Sequence, residues 1–184
     1  MVILGLDPGL ATLGYGVIKK EPRKKAEMLD YGVILTPKDE NLAVRLCMIE
    51  KGLKQIIEKF KPEMCGIGPF IPHKSTPFSN YSAGESDLTC YLLSIIRLIH
   101  PPILLPATTA LNTIDPLGRT KGILSGANVI MPNLSPTLVR NKYELYDNKA
   151  SFGSESAQNK KEIENQMKEI GYSIVIDRGD IKLH

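Results

Sequence analysis

Asp7 stands in Gly5-Leu6-Asp7-Pro8-Gly9, directly after the apolar run Val2 to Leu6, with Gly14-Tyr15-Gly16-Val17 a few residues on. A carboxylate at the end of a strand that reads as buried has two readings. Asp-Pro-Gly is ordinary turn chemistry, in which the aspartate serves its own backbone. Glycines beside a carboxylate also let another backbone, or a phosphate chain, approach closely. A second set of candidates lies in three proline-marked segments: Gly68-Pro69-Phe70-Ile71-Pro72-His73, Pro106-Ala107-Thr108-Thr109-Ala110 and Asn128-Val129-Ile130-Met131-Pro132-Asn133. Each follows a short apolar run. They are either strand terminators or loops at the carboxyl ends of parallel strands, where such folds bind ligands.

Other reactive groups are sparse. The cysteines are Cys47, Cys65 and Cys90, an odd count at spacings that fit no metal motif, which reads as reduced and mostly buried thiols. His73, His100 and His184 are far apart and read as loop or surface residues. Asp177-Arg178-Gly179-Asp180 reads as a solvated turn. Net charge is only +3, and residues 1–63 carry 11 Lys+Arg against 9 Asp+Glu. Neither part is basic enough to indicate nucleic-acid binding by charge alone. Apolar content of 42% and charged content of 23% are globular values in a chain of 184 residues. No apolar run reaches membrane length and the N-terminus shows no basic leader, so the expected location is the cytoplasm.

The elements that must position these residues follow from periodicity. Val2 to Leu6, Gly14 to Ile18 and Met28 to Leu35 read as strands, with Lys19 to Lys25 as a hairpin tip. Leu42, Leu46, Ile49, Leu53, Ile56 and Phe60 form one helical stripe, capped by Asn41 or Asp39 and stopped by Pro62. Then come a strand from Met64 to Phe70, a helix over 86–99 stopped by Pro101-Pro102, and a short strand Ile103 to Leu105. A helix from Asp115-Pro116 to Gly126, a strand Asn128 to Met131, a helix from Ser135, a helix near 156–170 and a strand Ser173 to Ile176 complete the chain. The alternation after residue 64 implies parallel strands with right-handed crossovers.

Residues 1–63 resemble the opening of the RuvC family of Holliday-junction resolvases. The resemblance rests on Ile3-Leu4-Gly5-Leu6-Asp7-Pro8-Gly9, Gly14-Tyr15-Gly16-Val17-Ile18, Asp30-Tyr31-Gly32-Val33-Ile34 with Thr36-Pro37, and the helix Leu42 to Phe60. It implies a ribonuclease-H-like fold, Mg2+-dependent endodeoxyribonuclease chemistry in DNA recombination, a junction DNA partner, and Asp7 as the first metal ligand. The resemblance places the family's second acid, a Glu, on the strand after the helix, where this chain has Gly66-Ile67-Gly68-Pro69. Its last two acids lie on a C-terminal helix that has no counterpart here.

Residues 65–184 resemble the C-terminal part of the HydE family of radical-SAM hydrogenase maturases. The matching segments are Gly66 to Pro77, Leu105 to Leu111, Gly126 to Pro136 and Tyr143-Glu144-Leu145-Tyr146. This implies a (βα) barrel top in which Thr108, Thr109 and Tyr146 face a small amino-acid-derived substrate, with Pro69 and Met131 near S-adenosylmethionine (SAM) or the pocket wall. The family's four-iron cluster needs a Cys-x3-Cys-x2-Cys loop, which the three cysteines do not reproduce.

The expected fold is therefore α/β. A ribonuclease-H-like fragment of three strands and a helix, residues 1–63, joins a partial barrel of about three units, residues 64–184. Three functional readings stand side by side: a junction nuclease, a radical-SAM maturase, and a fusion-like chain without the complete machinery of either, the last being the expected one with no cofactor held. A barrel arc leaves an unpaired strand edge, so self-association is also expected.

Overall fold

The computed structural model describes residues 1–131 and 156–177. Strands β1 (Val2–Asp7), β2 (Thr12–Lys19) and β3 (Glu27–Leu35) form an antiparallel meander, followed by helix α1 (Leu42–Phe60) and strand β4 (Met64–Ile67). Then come α2 (Ser86–Ile99), β5 (Pro106–Ala107), α3 (Thr109–Ile114), α4 (Gly118–Leu124), β6 (Val129–Ile130) and α5 (Ser156–Glu169). The larger sheet has the order β3-β2-β1-β4, with β4 parallel to β1. β5 and β6 pair in parallel as a second, two-stranded sheet.

The two sheets meet at β4. Cys65 N donates to Leu104 O and Leu104 N donates to Glu63 O, both at 3.0 Å. Met64 and Leu104 form a parallel bridge. β4 thus has β1 on one side and the stretch leading into β5 on the other. Among the described residues β3 is the outer strand of the larger sheet, and β6 pairs only with β5. The described residues form no barrel. β4, β5 and β6 lie in an open α/β arrangement, because the antiparallel meander occupies the flank of β4 where further parallel strands would stand.

One core runs through the chain. Leu4, Leu6, Leu13 and Val17 from the meander and Ile49, Leu53, Ile56 and Ile57 from α1 belong to the same buried cluster as Cys65, Leu92, Leu93, Ile96, Leu105 and Leu111. The α1 stripe is as expected, except that Leu42 at its start is exposed. Asn41 caps the helix through Val44 N at 3.0 Å, and Lys61 ends it in the left-handed region with φ 46°. Gly126 at φ 109° terminates α4 as anticipated.

Several elements differ from expectation: the strand expected over Met64 to Phe70 ends at Ile67, the strand expected at Ile103 to Leu105 falls at Pro106–Ala107, and the helix expected from Asp115 begins at Gly118. The segment Pro106 to Ala110, expected as a loop, instead holds β5 and runs into helix α3. Thr108 Oγ1 accepts Leu111 N at 3.4 Å as its cap. Ser173 to Ile176, expected as a strand, follows α5 as irregular chain, and Val175 and Ile176 are exposed. β-propensity needs a neighbouring edge to act on. The helix expected from Ser135 lies outside the described residues. Among the described residues no helix is long and apolar enough to cross a membrane.

Candidate functional site

Strand alternation decides what β1 presents. Leu4 and Leu6 point into the core, so Gly5 and Asp7 lie on the other face, both exposed. The pairing places Gly5 opposite Gly16 of β2 and Gly66 of β4, and Asp7 opposite Gly14. Three glycines therefore stand in one row across three strands, with Asp7 one step farther along β1. A Cβ added at Gly16 or Gly66 would meet nothing within 4 Å, and at Gly5 only Gly16 O at 3.8 Å. The result is a shallow groove with a backbone floor, lined by Gly5, Gly14, Gly16, Gly66, Asp7, Tyr31 and Val33.

The turn after Asp7 is fixed by side chains that sequence reasoning passed over. Gly9 has no room for a Cβ, which would lie 2.3 Å from Thr12 O. Thr36 Oγ1 donates to Leu10 O at 2.6 Å, and Arg45 Nε donates to Thr36 Oγ1 at 2.9 Å. Thr36 is nearly buried. These bonds tie the 8–11 turn to the end of β3 and to α1, so the carboxylate's position is held from behind. Asp7 thus ends β1 at a tight turn and lines the open groove.

The proline-marked loops come together only in part. Gly68, one residue past β4, lies so near the Thr108 loop that a Cβ there would be 2.9 Å from Thr108 Oγ1 and 3.6 Å from Ala110 Cβ. The end of β4 and the start of α3 are therefore in contact. An acid could not replace Gly68 without displacing Thr108. Pro69 is buried, with Gly84 N donating to Phe70 O at 2.8 Å beside it. Thr109 begins α3, half-buried, and its carbonyl accepts Thr113 Oγ1 at 2.9 Å. Met131 is 55% exposed. Tyr146 lies outside the described residues. His73 serves its own loop, its Nδ1 accepting Ser75 N at 3.1 Å.

The donors do not fit the cofactors implied by resemblance. Cys47 is exposed on α1, Cys65 buried on β4 and Cys90 half-buried on α2. Burial pushes the Cys65 thiol up to about 12 and also raises that of Cys90. Among the described residues no three His, Cys, Asp or Glu side chains gather where they could hold a metal ion. Among the described residues Asp7 thus has no companion carboxylates for a two-metal centre, and the three thiols are not disposed to hold an iron–sulfur cluster.

The FeFe hydrogenase maturase subunit HydE of Thermotoga maritima is 47% identical over 87 residues, which is 47% of this chain and 25% of that protein. The crossover junction endodeoxyribonuclease RuvC of Prochlorococcus marinus is 42% identical over 76 residues, 41% of this chain and 49% of that protein. The chain thus spans half or less of the length of these relatives. Among solved structures, Thermus thermophilus RuvC in complex with Holliday junction substrate aligns at TM-score 0.40 and 22% identity, covering 54% of this chain and 57% of that one. Residues 3–75, which include β1 from Ile3, β2, β3, α1, β4 and the groove with Asp7, match the family described as crossover junction endodeoxyribonuclease RuvC.

Proposed function

We propose that the chain carries a RuvC-type nuclease domain that keeps the sheet presenting the first metal-binding carboxylate and does not complete a two-metal centre by itself. What supports this is the position of Asp7. It stands at the carboxyl end of the central strand, beside a glycine floor open to an incoming chain, within the span that matches the RuvC family. What sets the chain apart is Gly68 against Thr108, where an acid would be needed. A single carboxylate does not hold two hard cations against their hydration, so no hydrolytic step is assigned to the residues present. The family's DNA junction is the substrate class this domain would meet.

The match to HydE supports a second reading for the loops at Pro69, Thr108, Thr109 and Met131, with Tyr146: a surface once shaped around a small molecule. With the thiols dispersed, that surface has no radical chemistry of its own.

The test is incubation of the full chain with a four-way DNA junction and Mg2+ or Mn2+. The expected result is no metal-dependent cleavage, and no difference between the native chain and Asp7→Asn. Cutting that requires metal and disappears in Asp7→Asn would overturn the proposal and make the chain a complete resolvase.

A further inference from the structure

The weak net charge of the chain conceals one strongly basic place. Residues 19–25, Lys-Lys-Glu-Pro-Arg-Lys-Lys, hold five Lys+Arg against one Glu, an excess greater than the +3 of the whole chain. The remainder is therefore slightly acidic. Lys19 ends β2 and the rest of the segment connects it to β3, with all five basic side chains exposed. The one acid, Glu21, meets Lys19 Nζ at 3.1 Å and Lys24 Nζ at 2.5 Å. Lys20 Nζ donates to the Lys24 carbonyl. Among the described residues Lys20, Arg23 and Lys25 meet no carboxylate.

The backbone of this tip favours charge over ease. Lys24 N donates to Glu21 O at 3.3 Å around Pro22 and Arg23, and Arg23 has φ 61°. Glycine or asparagine usually fills a left-handed third position after a turn proline, because a longer side chain is strained there. Here an arginine holds the apex of the hairpin. The composition also separates possible polyanions. A basic segment that seats in a lipid interface brings Trp, Phe or Leu with it, and residues 19–26 hold none of them. The place of the tip favours nucleic acid. Val2 pairs with Lys19 and Asp7 with Gly14, so the tip and Asp7 stand at opposite ends of the β1–β2 ladder. They are about 17 Å apart, at about 3.4 Å per residue. Gly5, Gly14 and Gly16 keep the open face between them low.

We propose that the hairpin tip at residues 19–25 is a second DNA contact, which holds the phosphate backbone of a duplex arm lying along β1 and β2 and reads no sequence. The proposal rests on the reading of the chain as a RuvC-type domain that meets DNA. Lys20, Arg23 and Lys25 supply the three cations that no carboxylate of the protein engages.

The test is binding of the full chain to a four-way junction and to a linear duplex, followed by fluorescence anisotropy in EDTA, so that metal plays no part. Each phosphate neutralised adds about 0.9 to the slope of log K against log salt. Lys20→Ala/Arg23→Ala/Lys25→Ala is expected to lower that slope by about 2.7. Between about 50 and 200 mM salt the native chain then loses about fortyfold more affinity than the variant does. Arg23→Gly alone removes the cation and the strain together. It is expected to lower the slope by about 0.9 while raising the denaturant midpoint. A tip that only closes the hairpin would gain the stability and keep the slope. Lys51→Ala/Lys54→Ala/Lys161→Ala removes the same charge elsewhere and is expected to keep the native slope. The proposal fails if the tip variant keeps the native slope or if the control lowers it equally. It also fails if the native chain loads onto vesicles of phosphatidylcholine and phosphatidylserine but not onto DNA. Junction binding with an unchanged slope in the tip variant would refute the tip contact and leave the nuclease-domain reading in place. Metal-dependent cutting, read separately, would overturn that reading and leave the tip contact standing.

Discussion

The meander and the region after α2 use glycine in opposite ways. In β1, β2 and β4, Gly5, Gly16 and Gly66 face open space, and a side chain there would meet almost nothing. In α4 and at its end, Gly118, Gly122 and Gly126 are pressed against neighbours: an added Cβ would lie 2.2 Å from Leu111 O, 3.0 Å from Leu111 Cδ2 and 2.8 Å from Arg97 Cβ respectively. The strands differ in parallel. β2 and β3 share a ladder of eight residue pairs, whereas β5 and β6 share two. The first region is thus ordered by its ladders and can leave a glycine surface bare. The second is ordered by close helix packing, and its glycines are spent inward. A bare glycine surface is what a region needs if something outside it approaches the backbone, and that surface is where Asp7 lies.

The comparison would break most visibly if the regions did not share a core. Leu53 of α1 and Leu105 ahead of β5 are both fully buried in the same cluster. Leu53→Ala and Leu105→Ala are each expected to lose about 2–5 kcal/mol. Both should lower one cooperative transition, as followed by thermal or denaturant unfolding. Two separated transitions, each sensitive to only one of the substitutions, would show two independent bodies and undo the account of β4 as their common strand.

A smaller effect sharpens the glycine contrast. Gly118→Ala must push against a carbonyl oxygen in the backbone, and is expected to cost about 1–3 kcal/mol. Gly66→Ala adds a methyl group in open space on a strand, and should stay within about 0.5 kcal/mol of native. The same denaturant midpoints check both. Equal losses would mean that the sheet face is covered in solution.

How far the sequence foretold this depends on whether the signal was local. The α1 helix was legible because its stripe, its cap and its proline stop are all local, and α2 because an apolar-rich run ends at a proline pair. Asp7 was legible for the same reason, as a carboxylate between an apolar run and a turn. The glycine row was not, because Gly5, Gly16 and Gly66 become neighbours only through strand register, which no spacing states. The Thr36–Arg45 tie behind the Asp7 turn escaped notice for the same reason. Helix α3 was missed although Thr108 before Ala-Leu-Asn is a fair capping signal. Proline and the paired threonines had suggested a loop. The Ser-Ile-Val-Ile run misled in the other direction, since strand-forming residues become a strand only beside an edge.

The smallest effect concerns the shared strand itself. Cys65 lies on β4, fully buried, with β1 on one side and Leu104 on the other. Burial raises its thiol from the ordinary value of 9.0 to about 12, so the folded chain holds this proton where the unfolded chain releases it. The neutral thiol therefore adds stability below pH 9 that is lost as pH rises toward 12. The loss should amount to about 1 kcal/mol by pH 10. Other groups titrate in this range, so the measurement is the difference between the native chain and Cys65→Ala, in which this part of the alkaline slope disappears. Thiol labelling at pH 8 gives an independent reading. The exposed Cys47 is expected to react at once, and Cys65 only as fast as the whole core opens. If Cys65 reacted in the native protein at a rate near that of Cys47, β4 would be fraying on its own. A fraying strand could not join the ladder-ordered region to the helix-packed one.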